Sequence, residues 1–430
     1  MPGNNLARGR RFLQKFGSGL TAVAVSLIVT LVPARSAWAA GNYETLHKFT
    51  YGRDGALAYG GMVMDGAGSL YGTTARGGTG AEGTVFKLAP NANGGWTKSV
   101  LYNFCSRRNC ADGTDPQASL VFDQAGNLYG TTVGGGTQQE GTVFELTPNG
   151  KGGWTESVLY SFCPHTNCED GALPQASLIL DQAGNLYGTT PVGGPQQAGT
   201  VFELTPNGLG GWTENVLFSF CSRRGCGDGG APQAGLVFDK VGNLYGTTKY
   251  GGLGNDTVFK LTPQPDGSWK ESVLYKFRNQ VDGSYPTGSL IFDAAGHLYG
   301  TTSSSEFAGL VFRLSPTPHG MWKEKVLHYF LDRDGSSPVG ALVSDSAGNL
   351  YGTTLYGGLS SRCDSLGCGV VFKLAPNSKG AWKATVLHRF VDHPGAFPFA
   401  GLILDTAGNL YGTTEGDQTT TFGSVFEITP

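Results

Sequence analysis

The chain has 430 residues, of which 15% are charged and 69 are glycine, with 30 Lys+Arg against 33 Asp+Glu. A composition this rich in glycine and poor in charge argues for sheets and turns rather than helices or disorder. The slight excess of acid excludes a basic nucleic-acid-binding surface, so no nucleic-acid partner is expected.

Residues 1 to 39 read as a bacterial export signal: Arg8, Arg10, Arg11 and Lys15, an apolar stretch from Leu20 to Val32, then Ala37-Trp38-Ala39 as a small-x-small cleavage site. An uncleaved anchor is the rival reading, but the apolar run is shorter than the roughly 20 residues that a bilayer core requires. Arg10-Arg11-Phe12-Leu13 loosely resembles a twin-arginine signal, with imperfect spacing to Lys15. Cleavage leaves a single domain, residues 40 to 430, with 25 basic against 33 acidic groups, because the leader holds five basic residues and no acidic ones. The expectation is a secreted or periplasmic monomer with no membrane span after cleavage.

The core Leu-Tyr-Gly-Thr-Thr then recurs with its tyrosine at Tyr71, Tyr129, Tyr187, Tyr245, Tyr299, Tyr351 and Tyr411, at spacings of 58, 58, 58, 54, 52 and 60. This period is too long for one coil of a β-helix and lies somewhat above the roughly 40 to 50 residues of familiar propeller blades. In the copy around Gly188, four short runs rich in β-branched and aromatic residues read as strands: a, Ala176 to Leu180; b, Asn185 to Thr190; c, Thr200 to Leu204; d, Trp212 to Phe220. Between a and b, Asp181-Gln182-Ala183-Gly184 predicts a tight turn, with the aspartate accepting backbone N–H bonds and the glycine at positive φ. The Asp and Gly recur together in all seven copies, which marks a structural rule.

The first segment after the leader, Tyr43 to Phe49, matches strand d, and the last, Ser424 to Ile428, matches strand c. The predicted fold is therefore all-β: a seven-bladed β-propeller of four-stranded blades, closed by the N-terminal strand completing the last blade. Closure pairs two edges that an open array would leave unpaired. The repeat wording, "DxAGNLYGTT…GG…GTVFKLTP…GGWxxSVLYxF…DGxxPxAxL", resembles the GloVer tandem repeat family of secreted bacterial proteins across residues 43 to 430. That resemblance implies a repeat architecture and no particular activity. Members commonly carry a C-terminal sorting segment, and the departure from that pattern suggests a released or periplasmic form.

In such a propeller the a to b and c to d turns share one face, the bottom, and the variable b to c and d to a loops share the other, the top, where function is expected. All eight cysteines fall in C-x4-C pairs on top-face loops: Cys105 with Cys110, Cys163 with Cys168, Cys221 with Cys226, and Cys363 with Cys368. The first three pairs occupy d to a loops and the fourth a b to c loop. Local disulfides are expected over zinc, given the export signal and the lack of accompanying histidines. The three d to a tips carry Arg107 and Arg108, His165, and Arg223 and Arg224, an arc of positive charge suited to carboxylate, sulfate or phosphate groups. Solvated loop charge is the plainer alternative.

Asp54, Asp112, Asp170, Asp228, Asp282 and Asp334 precede glycine at six blade junctions, and Pro394 replaces the seventh. A carboxylate ring can hold Ca²⁺, although Asp-Gly is also ordinary turn chemistry. His47, His328 and His388 stand where other copies have Tyr102, Tyr160, Phe218 and Tyr275, which reads as a packing position open to any ring. No catalytic residue, P-loop or dinucleotide fingerprint stands out. The expected function is a noncatalytic binding protein using its top face for a glycan, an anionic polymer or an envelope protein. The alternative is a polysaccharide lyase or hydrolase working in the central funnel, for which the irregular segments Ser303 to Glu306 and Glu415 to Gln418, and His393, are the places to look.

Overall fold

The computed structural model describes residues 42–429 apart from 166, 251–255, 279–280, 306–307, 360–362, 364–365, 392–394 and 418–420. The expected signal at 1–39, and Glu306, His393, Pro394 and Gln418, lie outside the described residues. The chain forms seven four-stranded antiparallel sheets, the blades of a β-propeller. Blade 3 runs Ile179–Leu180, Leu186–Thr190, Thr200–Pro206 and Trp212–Ser219 as strands a to d. In blade 7, Ile403–Leu404, Leu410–Thr414 and Ser424–Thr429 are completed by Asn42–Lys48, paired antiparallel from Asn42↔Thr429 to Lys48↔Ser424. The N-terminal strand thus closes the ring.

The turn before strand b forms as the sequence requires. Gly184 sits at φ 88°, and Asp181 Oδ1 accepts from the backbone N–H of Ala183 at 2.8 Å and Asn185 at 2.9 Å. Asp181 Oδ2 accepts from Asn185 Nδ2 at 2.8 Å and the Tyr187 hydroxyl at 3.2 Å. One carboxylate therefore fixes both the turn and the first residues of the next strand. Gly188 follows because the Phe202 ring lies over it; an added Cβ would stand 2.5 Å from Phe202 Cζ.

The two threonines of the repeat divide the work of assembly. The first of each pair donates its hydroxyl to a backbone carbonyl of the following blade, at 2.8 to 3.4 Å around the whole ring, and Thr413 to Gly60 O completes the circle. The second bonds within its own blade, as Thr190 does to Thr200 Oγ1 at 2.9 Å. Strand a is shorter than Ala176 to Leu180, and these contacts explain it. Ala176 O accepts from Thr131 and Ser177 Oγ from the Ser119 N–H, so this part of the strand bonds to the preceding blade rather than to strand b.

The apolar core lies between blades. Tyr187, Val201 and Phe220 of blade 3 pack with Leu236, Leu244, Phe259 and Leu261 of blade 4, and equivalent clusters fill the other junctions. A single blade cannot bury its own apolar faces, so stability comes from stacking neighbours.

Candidate functional site

All four cysteine pairs are disulfides within their own loops: Cys105 bonds Cys110, Cys163 bonds Cys168, Cys221 bonds Cys226, and Cys363 bonds Cys368. The bonds do more than tie off loop tips. Cys110 and Cys168 each lend a backbone carbonyl to the neighbouring b to c loop, accepting from Gly136 N at 3.0 Å and Gly194 N at 2.8 Å, and Cys110, Cys168 and Cys226 accept from the N–H of Gly113, Gly171 and Gly229. Cys368 is fully buried, and its carbonyl accepts from Phe397 N at 3.0 Å in the next junction, so the fourth bridge belongs to the interior of the ring rather than to an exposed tip. Among the described residues no helix is long and apolar enough to cross a membrane.

The outer rim of the top face is built around the aspartates before glycine. Asp112 is fully buried and accepts from the Tyr102 hydroxyl, from Ser106 N and Oγ, and from Arg107 N. Asp228 does the same with Ser222 and Arg223 N, Asp170 with Tyr160 and Cys163 N, and Asp282 with Tyr275 and Arg278 N. Asp54 takes His47 Nε2, Thr50 and Lys98 Nζ, and Asp334 takes Leu331 N with His328 Nε2 at 3.2 Å. Each carboxylate holds its own loop. Among the described residues no group of three or more His, Cys, Asp or Glu is placed to hold a metal ion.

Two of the three strand d histidines are therefore more than packing rings. His47 and His328 reach the aspartate that tyrosine reaches elsewhere, whereas His388 stacks on Tyr43 at 4.0 Å and 8°. Burial lowers the pKa of all three, that of His388 to about 4.

The positive arc divides. Arg107 reaches over to the buried Glu156 at 2.6 Å, and Arg223 to Glu271 at 2.5 Å, each across a blade junction. Arg108, His165 and Arg224 are exposed at the tips.

Sequence reasoning missed the glutamates. Glu156, Glu214, Glu271 and Glu324 are the third residues of their d strands, each with a buried Oε1 that has no partner among the described residues. Burial raises Glu214 to about 8 and the other three to about 7. The available signal was the period of two: Trp212 and Glu214 share one half-buried face at the start of the strand, whereas Thr213 and Asn215 are exposed.

Nearer the axis, a cavity of about 620 Å³ opens on the same face. The residues following the prolines that open the a strands supply Gln117, Gln175, Gln233, Thr287, Val339 and Phe399 to its wall. The b to c and d to a loops add Lys249, Tyr250, Ser303 and Tyr285. Gln117 Nε2 donates to Asp115 Oδ2 at 3.1 Å, but no hydrogen bond engages the Gln175 or Gln233 side chain among the described residues. Lys249 Nζ lies 6.0 Å from the Tyr250 ring and 5.9 Å from the Tyr285 ring, with no acid within 4 Å among the described residues. Tyr250, Tyr285 and Phe399 are 56%, 43% and 39% exposed.

The backbone at this mouth is under tension. The residue before each of these prolines, or before Ala58 in blade 1, is left-handed without being glycine: Leu57, Asp115, Leu173, Ala231, Tyr285, Ser337 and Phe397, at φ 49 to 62°. Such a conformation costs an L-residue of order 1 kcal/mol or more. Hydrogen bonds hold it: Ala231 N donates to Ala198 O of the preceding blade, and Ala231 O accepts from Lys249 N. The constant backbone presents a different side chain at every junction.

The opposite face has a larger cavity, about 1190 Å³, formed by the a to b turns of blades 2 to 4 with Pro263 and Trp269. Its Asp123, Asp181 and Asp239 carboxylates are engaged by their own turns. Volume alone therefore does not mark the binding face.

No curated protein matches the chain. Among solved structures, a luciferin-regenerating enzyme is similar at 14% identity and TM-score 0.43, over 91% of this chain and 95% of that one. The model of the Gloeobacter/Verrucomicrobia repeat matches residues 34–257, 99–306, 153–363 and 253–430, so together the matches span every blade. The chain belongs to the Gloeobacter/Verrucomicrobia repeat family.

Proposed function

We propose that this is an exported, noncatalytic binding protein that works as a monomer and takes a glycan in the top-face funnel. The observation that carries this reading is the wall of the 620 Å³ cavity, which the amides of Gln175 and Gln233, unengaged among the described residues, share with the half-exposed rings of Tyr285 and Phe399. A carboxamide offers donors and an acceptor together, which suits neighbouring hydroxyl groups. Aromatic faces beside such groups cover the apolar C–H faces of a sugar ring. The volume falls within the roughly 300–1,000 Å³ of small-molecule sites. The disulfides support an oxidising, extracytoplasmic location.

The test is a glycan-array screen of the purified protein beside Gln233→Trp, which fills the funnel, and Lys240→Ala on the bottom face. Binding lost only in Gln233→Trp is the expected result. Binding that survives in Gln233→Trp removes the funnel from the proposal, and release of a shortened glycan replaces a binding role with the hydrolase or lyase alternative.

A further inference from the structure

We propose that the funnel selects an acidic glycan, with a hexuronate carboxylate at Lys249 and the sugar hydroxyls at Gln175 and Gln233. This rests on the glycan reading above and adds the charge of the ligand. Lys249 follows the Thr247-Thr248 pair of blade 4, and its backbone is fixed by Lys249 N to Ala231 O at 3.2 Å. Its backbone is therefore anchored at the base of the b to c loop, beside strand b, rather than at the loop tip.

Among the described residues the charge has no counterpart at hand. The acid whose titration Lys249 influences, Asp256, already accepts the Tyr285 N–H at 2.5 Å and makes no ion pair with Lys249. Three acids around other parts of the mouth are engaged. Arg76 bridges Glu82 at 3.1 Å and Asp115 at 3.7 Å, and Glu415 accepts from the Tyr59 hydroxyl at 3.2 Å. Among the described residues the funnel thus has an unpaired cation on the blade 4 side and neutral amides on blades 3 and 4.

The single ammonium also discriminates among anions. Phosphate and sulfate sites favour a guanidinium fork or a nest of backbone N–H groups, because those match several oxygens at once. Here a lysine, a point charge on a flexible stem, lies between two tyrosine rings, and no arginine lines the cavity among the described residues. One carboxylate beside several hydroxyls is the ligand that this set of groups satisfies, and that is the chemistry of a uronic acid unit.

The experiment is isothermal titration of the purified protein with oligogalacturonate and oligomannuronate, each beside its methyl ester, which keeps the sugar and removes the charge. At least one acid should bind about tenfold or more tighter than its ester at low salt, with the advantage shrinking as salt is added. Lys249→Met should bring the acid down to the affinity of the ester and leave the ester unchanged. Gln175→Ala with Gln233→Ala should weaken both. Equal binding of acid and ester, or a Lys249→Met protein that still prefers the acid, overturns the acidic selectivity and leaves the glycan reading standing. If neither ligand of either pair binds and the array of neutral glycans is also silent, the glycan reading falls with it.

Discussion

The two faces of this propeller are made from the same repeat and differ in what they leave unsatisfied. On the bottom face each a to b turn satisfies itself: Asp181 takes four donors from within seven residues, and Asp123, Asp239, Asp345 and Asp405 do the same. On the top face the positive-φ residue before strand a recurs at every junction, yet the loops differ in length and the side chains change from junction to junction, and among the described residues some remain without partners. A polar group closed by its own turn has little to offer a ligand. One held in place by strained backbone and left open has more, which is why the smaller cavity is the better candidate.

The sharpest way to break this contrast is to damage each face and compare stability with binding. Gly188→Val puts carbon against Phe202 Cζ and Leu178 Cδ2, which an added Cβ would meet at 2.5 and 2.9 Å. It should lower unfolding free energy by about 3 kcal/mol or more, measured by urea denaturation. Gln233→Ala should move it by no more than about 0.5 kcal/mol. Next in size, Asp181→Ala removes the acceptor of four hydrogen bonds and should cost about 2 kcal/mol while leaving glycan binding intact. Loss of binding in that variant would show that the faces are coupled.

A smaller effect tests the stitching between blades. Thr131→Val keeps the β-branched shape but leaves Ala176 O without its hydroxyl donor, and about 1 kcal/mol of stability should be lost. A neutral result would mean that the ring is held by its apolar junctions alone.

What the sequence made legible follows from where its period acts. The turn, the strands, the local disulfides and ring closure lie within one copy or between its ends, so repetition exposes them: Asp181 and Gly184 have the roles their types require, Cys105 does bond Cys110, and Tyr43 to Phe49 does complete the last blade. Contacts between blades are different, because which atoms meet depends on how far one sheet is rotated against the next. The shortened strand a and the inward turn of Arg107 and Arg223 both arise there. The funnel wall was hidden for the same reason: Gln117, Gln175 and Gln233 are one per copy and converge only when the ring closes.

The smallest expected effect concerns the outer rim, where junctions differ in charge. In blade 1 the third residue of strand d is Lys98, paired with Asp54 at 2.8 Å; in blades 2 to 5 it is a glutamate. Burial is the main cause that raises these glutamates, and a neighbouring aspartate adds to it. Arg107, Arg223 and Arg278 oppose the shift at Glu156, Glu271 and Glu324, but among the described residues no cation opposes it at Glu214, which rises furthest, to about 8. A carboxyl whose folded pKa lies above its unfolded value contributes stability that is complete below the unfolded pKa and is lost as pH rises through the folded one. The melting temperature should therefore fall between about pH 5 and about pH 8, from just above the ordinary glutamate pKa to the raised folded values, and Glu214→Gln, which cannot ionise, should make that fall shallower. Burial sets the direction at Glu214 and Asp170 adds to it, because ionisation would place a charge in a site with little water and beside a second carboxylate. A melting temperature that is flat or rises over that range, or one on which Glu214→Gln has no effect, would show that the junction carboxyls ionise freely.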